Sequence, residues 1–212
     1  MIGRNYVAKR AFMPNPISDT TIDFYKKHAH KWDEIRQKYF REKSWMKHFL
    51  SETSPEGNIL DIGCGSGDPL GGYIINQGYN LTGIDTSSPL IELCIKRHPS
   101  HNWIVGDMRT LSLNKSFDGI LAWDSFFHLT QDDQRKMFSL FKAHSDKGTM
   151  LMFTSGTQDG EVIGKFLGDD LFHASLSPEE YRRQLDKNGF DIVEHVQNDR
   201  ICERTIWLAK CR

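Results

Sequence analysis

The chain has 212 residues, 38% of them hydrophobic and 26% charged, with a formal net charge of −1. That length suits one α/β domain with a substantial core, or one domain plus a small cap, and the composition is ordinary for a soluble globular protein. A near-neutral chain without a Lys/Arg run gives no electrostatic basis for capturing nucleic acid, no run of about 18 apolar residues points to a membrane, and the N-terminus lacks a signal-peptide core.

Residues 1–17 carry Pro14 and Pro16 without periodicity and read as a mobile arm. Thr20 and Asp23 have capping-box spacing, and Ile22, Tyr25, Ala29, Trp32, Ile35 and Tyr39 then recur along one face of a helix. A second, shorter helix carries Trp45, Met46, Phe49 and Leu50 on its apolar side and stops at Pro55 and Gly57. Ile59, Leu60 and Ile62 form a short apolar run that suits a strand covered on both faces. Gly63, Gly65 and Gly67 alternate after it, where glycine permits positive φ and close approach of a ligand to the backbone. Pro69 fits the first turn of the next helix.

A strand, a glycine turn and a helix have several uses. Asp68-Pro69 replaces the Lys-Ser or Lys-Thr that a phosphate loop needs. The G-x-G-x-G spacing differs from the dinucleotide fingerprint G-x-G-x-x-G, and the flanking Asp61 and Asp68 suit a cation better than a diphosphate. The stretch Leu60-Asp61-Ile62-Gly63-Cys64-Gly65-Ser66-Gly67 resembles the first motif of the class I S-adenosylmethionine-dependent methyltransferases, whose cofactor carries a sulfonium and an ammonium and no phosphate.

A short helix over 70–77 ends at Gly78, and a second strand closes on Asp85. An acid about 20 residues after the glycine loop is placed to receive ribose hydroxyls, and Gly83-Ile84-Asp85-Thr86-Ser87 resembles the family's second motif. Ser88-Pro89 opens a helix. A third strand, Trp103-Ile104-Val105, runs into Gly106-Asp107-Met108, which resembles the third motif; that resemblance implies that Asp107 and Met108 hold adenine. Phe117 to Trp123 is a fourth strand, and Asp124-Ser125-Phe126-Phe127-His128 follows at its carboxyl end, where open α/β sheets bind ligands. Thr130 caps a further helix, and Gly148 to Thr154 is a fifth strand. Residues 155–176 read as a long, glycine-rich connection. Ser177-Pro178-Glu179-Glu180 starts a last helix, before two final strands over 190–196 and 205–209.

The resemblance covers about residues 57–155 by motif and the rest by order of elements. It implies a Rossmann-like three-layer α/β/α sandwich: a mostly parallel seven-stranded sheet with a C-terminal antiparallel hairpin strand and N-terminal cap helices. The expected division is an arm and cap over 1–56 and a cofactor-binding domain over 57–212. On the same resemblance the cap helices fold over the cofactor, so Tyr25, Trp32 and Trp45 are expected to contact it. Asp61, Gly63, Cys64, Gly65, Asp85, Thr86, Asp107, Met108 and Trp123 complete the expected cofactor site. Each lid aromatic reads equally well as core packing.

Methyl transfer from a sulfonium is an in-line displacement that asks for alignment and a deprotonated nucleophile, without a metal. His128 is the candidate general base or substrate partner, by its position and a pKa suited to neutral pH, and Asp124 the candidate contact for cofactor or a substrate amine; both also read as structural. His173 is a weaker candidate from the long connection, while His28, His30 and His144 read as solvated surface. Asp124-Ser125-Phe126-Phe127 only loosely matches the acid-Pro-Pro-Tyr loop of amino methyltransferases, since both prolines are missing. The leading function is methyl transfer from S-adenosylmethionine to nitrogen or oxygen of a small molecule, releasing S-adenosylhomocysteine. A nucleic-acid (tRNA) methyltransferase, a non-catalytic cofactor-binding module and a nicotinamide oxidoreductase are the competing classes. No nucleic-acid or membrane partner is expected. The protein is expected to be a cytoplasmic monomer or homodimer, and the four widely spaced cysteines (Cys64, Cys94, Cys202, Cys211) read as reduced thiols.

Overall fold

The computed structural model describes residues 16–212. Five parallel strands, β1 (Asn58–Ile62), β2 (Asn80–Asp85), β3 (Asn102–Val105), β4 (Phe117–Ala122) and β5 (Ser145–Ser155), form most of one sheet. Two later strands, β8 (Phe190–Val196) and β9 (Thr205–Cys211), complete it in the order β3-β2-β1-β4-β5-β9-β8. β9 runs antiparallel to both of its neighbours. The sheet is thus seven-stranded, mostly parallel and Rossmann-like, with the one reversed strand that the order of elements implies. The chain turns back on itself between β1 and β4, and that crevice is where such sheets take ligands.

Both faces of the sheet are covered, which is why β1 and β4 are apolar on both sides. Helices α5 (Gln131–Ala143) and α6 (Pro178–Lys187) close one core around Phe126, Phe138, Phe141, Phe153, Tyr181 and Trp207. Helices α2 (Lys43–Ser51) and α3 (Leu70–Asn76) close the other, with Met46, Phe49, Ile59 and Ile74 fully buried. The caps are those the spacing predicts: Thr130 accepts from the Asp133 amide and Ser177 from the Glu180 amide. Helix α4 (Ser88–Arg97) follows β2. Among the described residues, no helix is long and apolar enough to cross a membrane.

Four expectations are corrected. The first helix, α1, spans Pro16–Arg36, so Thr20 and Asp23 lie inside it rather than at its start. The arm expected over 1–17 falls outside the described residues, apart from the helical Pro16 and Ile17. Tyr39 lies past the end of α1 and is 63% exposed, so the apolar stripe stops at Ile35. The stretch read as a long connection holds a hairpin, β6 (Gly160–Phe166) with β7 (Asp169–Ser175). Its turn is Leu167-Gly168, both at positive φ (51° and 88°). A two-residue turn of that kind favours Asn-Gly or Asp-Gly, so Leu-Gly gave no turn signal. Last, His144 is buried, with one ring nitrogen 2.8 Å from the Leu140 carbonyl and the other accepting from the Leu113 amide at 3.1 Å.

Candidate active site

The carboxyl ends of β1, β2, β3 and β4 border one cavity, roofed by α1. Its floor is the glycine turn after β1. The amides of Gly63 and Cys64 both donate to the Ile84 carbonyl, at 2.7 and 3.1 Å, folding the chain sharply at the end of the strand. Gly63 has φ +76°, and a Cβ there would stand 2.3 Å from the Ser125 Cβ; glycine is required on both counts. Ser125 is itself fixed by donating to the Ile62 carbonyl at 2.6 Å. Gly65, at φ +57°, faces outward: a Cβ would meet only the Trp32 indole nitrogen, 3.6 Å away across the cavity.

Asp85, at the tip of β2, braces this turn. Its carboxylate accepts from the Gly65 amide at 3.0 Å and from the Ser87 amide at 2.9 Å, and burial raises its pKa against the pull of those hydrogen bonds. Asp61 lies one strand over, 3% exposed, on the wall of the cavity. Its pKa is pushed up to about 7, first by burial and then by the charge of Asp85, while Arg36 draws it down. A carboxyl in that condition gains its charge when a cation arrives beside it.

The roof comes from α1. Tyr25 and Trp32 face the cavity and meet edge to face, ring centroids 5.4 Å apart. The Tyr25 hydroxyl lies 2.9 Å from His128 Nε2, and His128 Nδ1 lies 2.9 Å from the Phe172 carbonyl on β7. A carbonyl only accepts, so Nδ1 carries the proton. Burial holds the His128 pKa down at about 4, so Nε2 is bare at neutral pH and takes its hydrogen bond from Tyr25. Two ion-pair clusters hold α1 down. Arg97 of α4 grips both oxygens of Asp33, at 2.8 and 2.6 Å, and donates to the Ser66 carbonyl at 3.2 Å. On the other flank, Lys27 and His28 both reach Asp169 of β7 at 2.6 Å.

The structure brings Tyr25, Trp32, Asp61, Gly63, Cys64, Gly65, Asp85, Thr86, Asp107, Met108, Trp123, Asp124 and His128 to this one cavity. Trp45 is the correction. It packs with Met46 and Phe49 in the core beneath α2, and its indole nitrogen donates to Asp199 at 3.3 Å. Two further carboxylates are already engaged. Both oxygens of Asp124 receive Arg204, at 2.6 and 3.0 Å, and Asp107 is gripped by Arg109 through Nε at 3.0 and 2.9 Å and Nη2 at 2.5 Å. Asp124 is therefore half of a fork-to-fork ion pair rather than a free base. His173 stacks on His128 at 4.8 Å but does not border the cavity.

Sequence reasoning missed Arg36, Thr21 and Ser125, all cavity residues, and the partner Arg204. Arg36 stands one helical turn after Trp32, so the stripe that was read as apolar continues as an arginine pointing the same way. Arg204 had no signal at all, because it lies 80 positions from Asp124.

These features match known proteins. A family model described as "Methyltransferase domain" covers residues 59–148. A demethylmenaquinone methyltransferase of Thermotoga maritima is 32% identical over 210 residues, spanning 79% of this chain and 90% of that protein. The chain belongs to the class I S-adenosylmethionine-dependent methyltransferases. An O-methyltransferase of Pyrenophora dematioidea is 29% identical over 157 residues, covering 68% of this chain; the chain spans only 57% of that relative's length. In fold, it is similar to the Burkholderia thailandensis 1,6-didemethyltoxoflavin-N1-methyltransferase, at a TM-score of 0.73 and 15% identity over 95% of this chain and 93% of the other.

The cavity of this methyltransferase fits the family's donor on its own chemistry. The open space at Gly65 admits a ligand against the backbone, and the buried Asp61 suits an ammonium group. The first-motif turn and the acid at the tip of β2 stand where the motif order puts them.

Proposed function

We propose that the protein transfers a methyl group from S-adenosylmethionine to a nitrogen or oxygen atom of a small molecule, leaving S-adenosylhomocysteine. The observation that carries this is the buried carboxyl of Asp61 on the wall of a cavity that helix α1 roofs and the glycine turn floors. The O-methyltransferase and N1-methyltransferase names among the similar proteins agree with this class, while others are named as probable tRNA methyltransferases.

The bound donor supplies an electrophilic methyl on a sulfonium; the protein supplies position and exclusion of water. In this reading Asp61 faces the donor's ammonium, Asp85 and Thr86 its ribose, and Asp107 and Met108 its adenine, while Tyr25 and Trp32 cover it. With Asp107 held by Arg109, its hold on adenine uses the lone pairs that Arg109 leaves open. His128 is a positioning residue: a neutral acceptor that aims the Tyr25 hydroxyl into the cavity, tied in turn to β7. With His128 Nε2 engaged by the Tyr25 hydroxyl at 2.9 Å, this reading takes the acceptor to reach the site with its own lone pair available. Helix α1 supplies the cover and residues 57–212 the donor site.

The test is a screen of small amines, phenols and carboxylic acids, with total tRNA as a separate arm, using donor labelled on its methyl group. Label in a small molecule is the expected result. Label in tRNA alone overturns the acceptor class, and calorimetry showing tight NADH binding without S-adenosylhomocysteine binding overturns the donor.

A further inference from the structure

Among the described residues the hairpin leaves an edge strand bare. There β6 pairs only with β7, and two β-branched residues on it, Val162 and Ile163, are 61% and 65% exposed. An edge with apolar side chains is a template for another strand, and proteins that keep an edge monomeric shorten it, bulge it, or place proline or unmatched charges on it. The main sheet does so: β3 has four residues, and β8 is bulged between Ile192 and Glu194. β6 has seven residues, no proline and an unbroken register with β7 from Gly160↔Ser175 to Phe166↔Asp169.

The register decides which groups on that edge are available. Phe166 and Asp169 flank the two-residue turn and form its hydrogen-bonded pair, so Phe166, Gly164 and Val162 turn their amides and carbonyls towards β7. Lys165, Ile163 and Glu161 turn theirs outward. We propose that β6 is the interface of a symmetric dimer, in which it pairs antiparallel with β6 of a second copy about a two-fold axis at Ile163. That axis sets Ile163 against its own copy and Glu161 against Lys165 twice, once on each side. All three outward-facing residues then find hydrogen-bonding partners. The exposed charges are matched, and Val162 of each copy lies over Gly164 of the other, where no side chain obstructs it. No other centre on the strand brings both charges into register with their opposites, and a patch that complements itself is what a two-fold interface requires. Lys165 also contacts Asp170 at 3.1 Å within the hairpin, an exposed pair that contributes little.

The inference stands on the hairpin alone and is independent of the methyltransferase reading. Sedimentation velocity over a concentration series is expected to show reversible dimer in the unmodified protein. Glu161→Lys and Lys165→Glu each place like charges opposite one another on both sides, and each is expected to weaken the dimer roughly tenfold or more. Mixed together, the two variants restore both opposite-charge pairs and are expected to form a heterodimer where neither self-associates. Residues directly opposite in such a pair have Cα atoms about 5.5 Å apart, within disulfide range. Ile163→Cys is therefore expected to cross-link to itself under mild oxidation well beyond the unmodified protein. A monomer at every concentration, or variants that dimerise unchanged and fail to prefer each other, overturns the proposal.

Discussion

The floor and the roof of the cavity are built on different principles. The floor, residues 58–68 with Asp85, is held by short contacts between neighbouring strands: the Gly63 and Cys64 amides to the Ile84 carbonyl, and the Gly65 amide to the Asp85 carboxylate. The roof is held by side chains that meet across long stretches of chain, with Tyr25 on His128, Asp33 on Arg97 and Lys27 and His28 on Asp169. A floor of backbone tolerates almost no change in shape. On the Asp169 flank the roof is held by an exposed ion pair from Lys27, which contributes at most about 1 kcal/mol, so that side opens at modest cost, as a chamber that exchanges ligands requires.

Substitutions separate the two. Gly63→Val drives a side chain into Ser125 and is expected to abolish binding of S-adenosylhomocysteine in calorimetry; Gly65→Ala, with open space before it, is expected to weaken binding and leave the fold intact. Trp45→Ala, in the core beneath α2, is expected to cost about 3–5 kcal/mol of stability, read by chemical denaturation, with donor affinity of the folded fraction unchanged. A loss of donor affinity there would return Trp45 to the roof.

Asp61→Asn is expected to lower donor affinity by roughly 10- to 100-fold, the worth of a charged hydrogen bond of about 1.5–3 kcal/mol. It is also expected to erase a pH dependence. With a folded-state pKa of about 7 against an ordinary 3.8, Asp61 carries a proton in the donor-free protein that the unfolded chain has already lost. Its contribution to stability is therefore full below pH about 4 and declines as the pH rises to about 7. Donor affinity runs in the opposite direction, rising from pH 5 to 8, with proton uptake or release read by calorimetry in buffers of different ionisation enthalpy. Affinity that stays flat over that range removes Asp61 as the ammonium partner.

The smallest effects belong to the roof. Tyr25→Phe keeps the ring and loses the bond to His128, and turnover is expected to fall several-fold with little change in thermal stability. Asp169→Asn is expected to cost under about 1 kcal/mol and to speed the release of bound S-adenosylhomocysteine in stopped-flow. If Asp169→Asn matched Gly63→Val in severity, the contrast between a rigid floor and a releasable roof would be wrong.

The floor was legible in the sequence because everything that shapes it is local. A strand, a turn that only glycine fits and an acid at the next strand's tip follow one another within 30 positions, and each announces itself by residue type. Trp45 was misplaced for the opposite reason: a helical stripe of aromatics says that one face is covered and not by what. Thr20 and Asp23 had the right spacing for a helix start, yet the helix was already under way. The hairpin stayed hidden because Leu167-Gly168 turns the chain without the usual residues, and β6, exposed on both faces, has no alternation to read.

The sequence by itself determined the seven-stranded sheet and the glycine turn at its carboxyl edge, since β-strand burial and glycine turns are set by neighbours a few residues away. Only the tertiary structure decided the chemistry of the chamber. Arg204 reaches Asp124 across 80 positions, Tyr25 reaches His128 across 103, and burial moves the His128 and Asp61 protons by several pH units. Charge state and hydrogen-bond partners belong to the surroundings of a side chain, and those surroundings exist only once distant segments have packed.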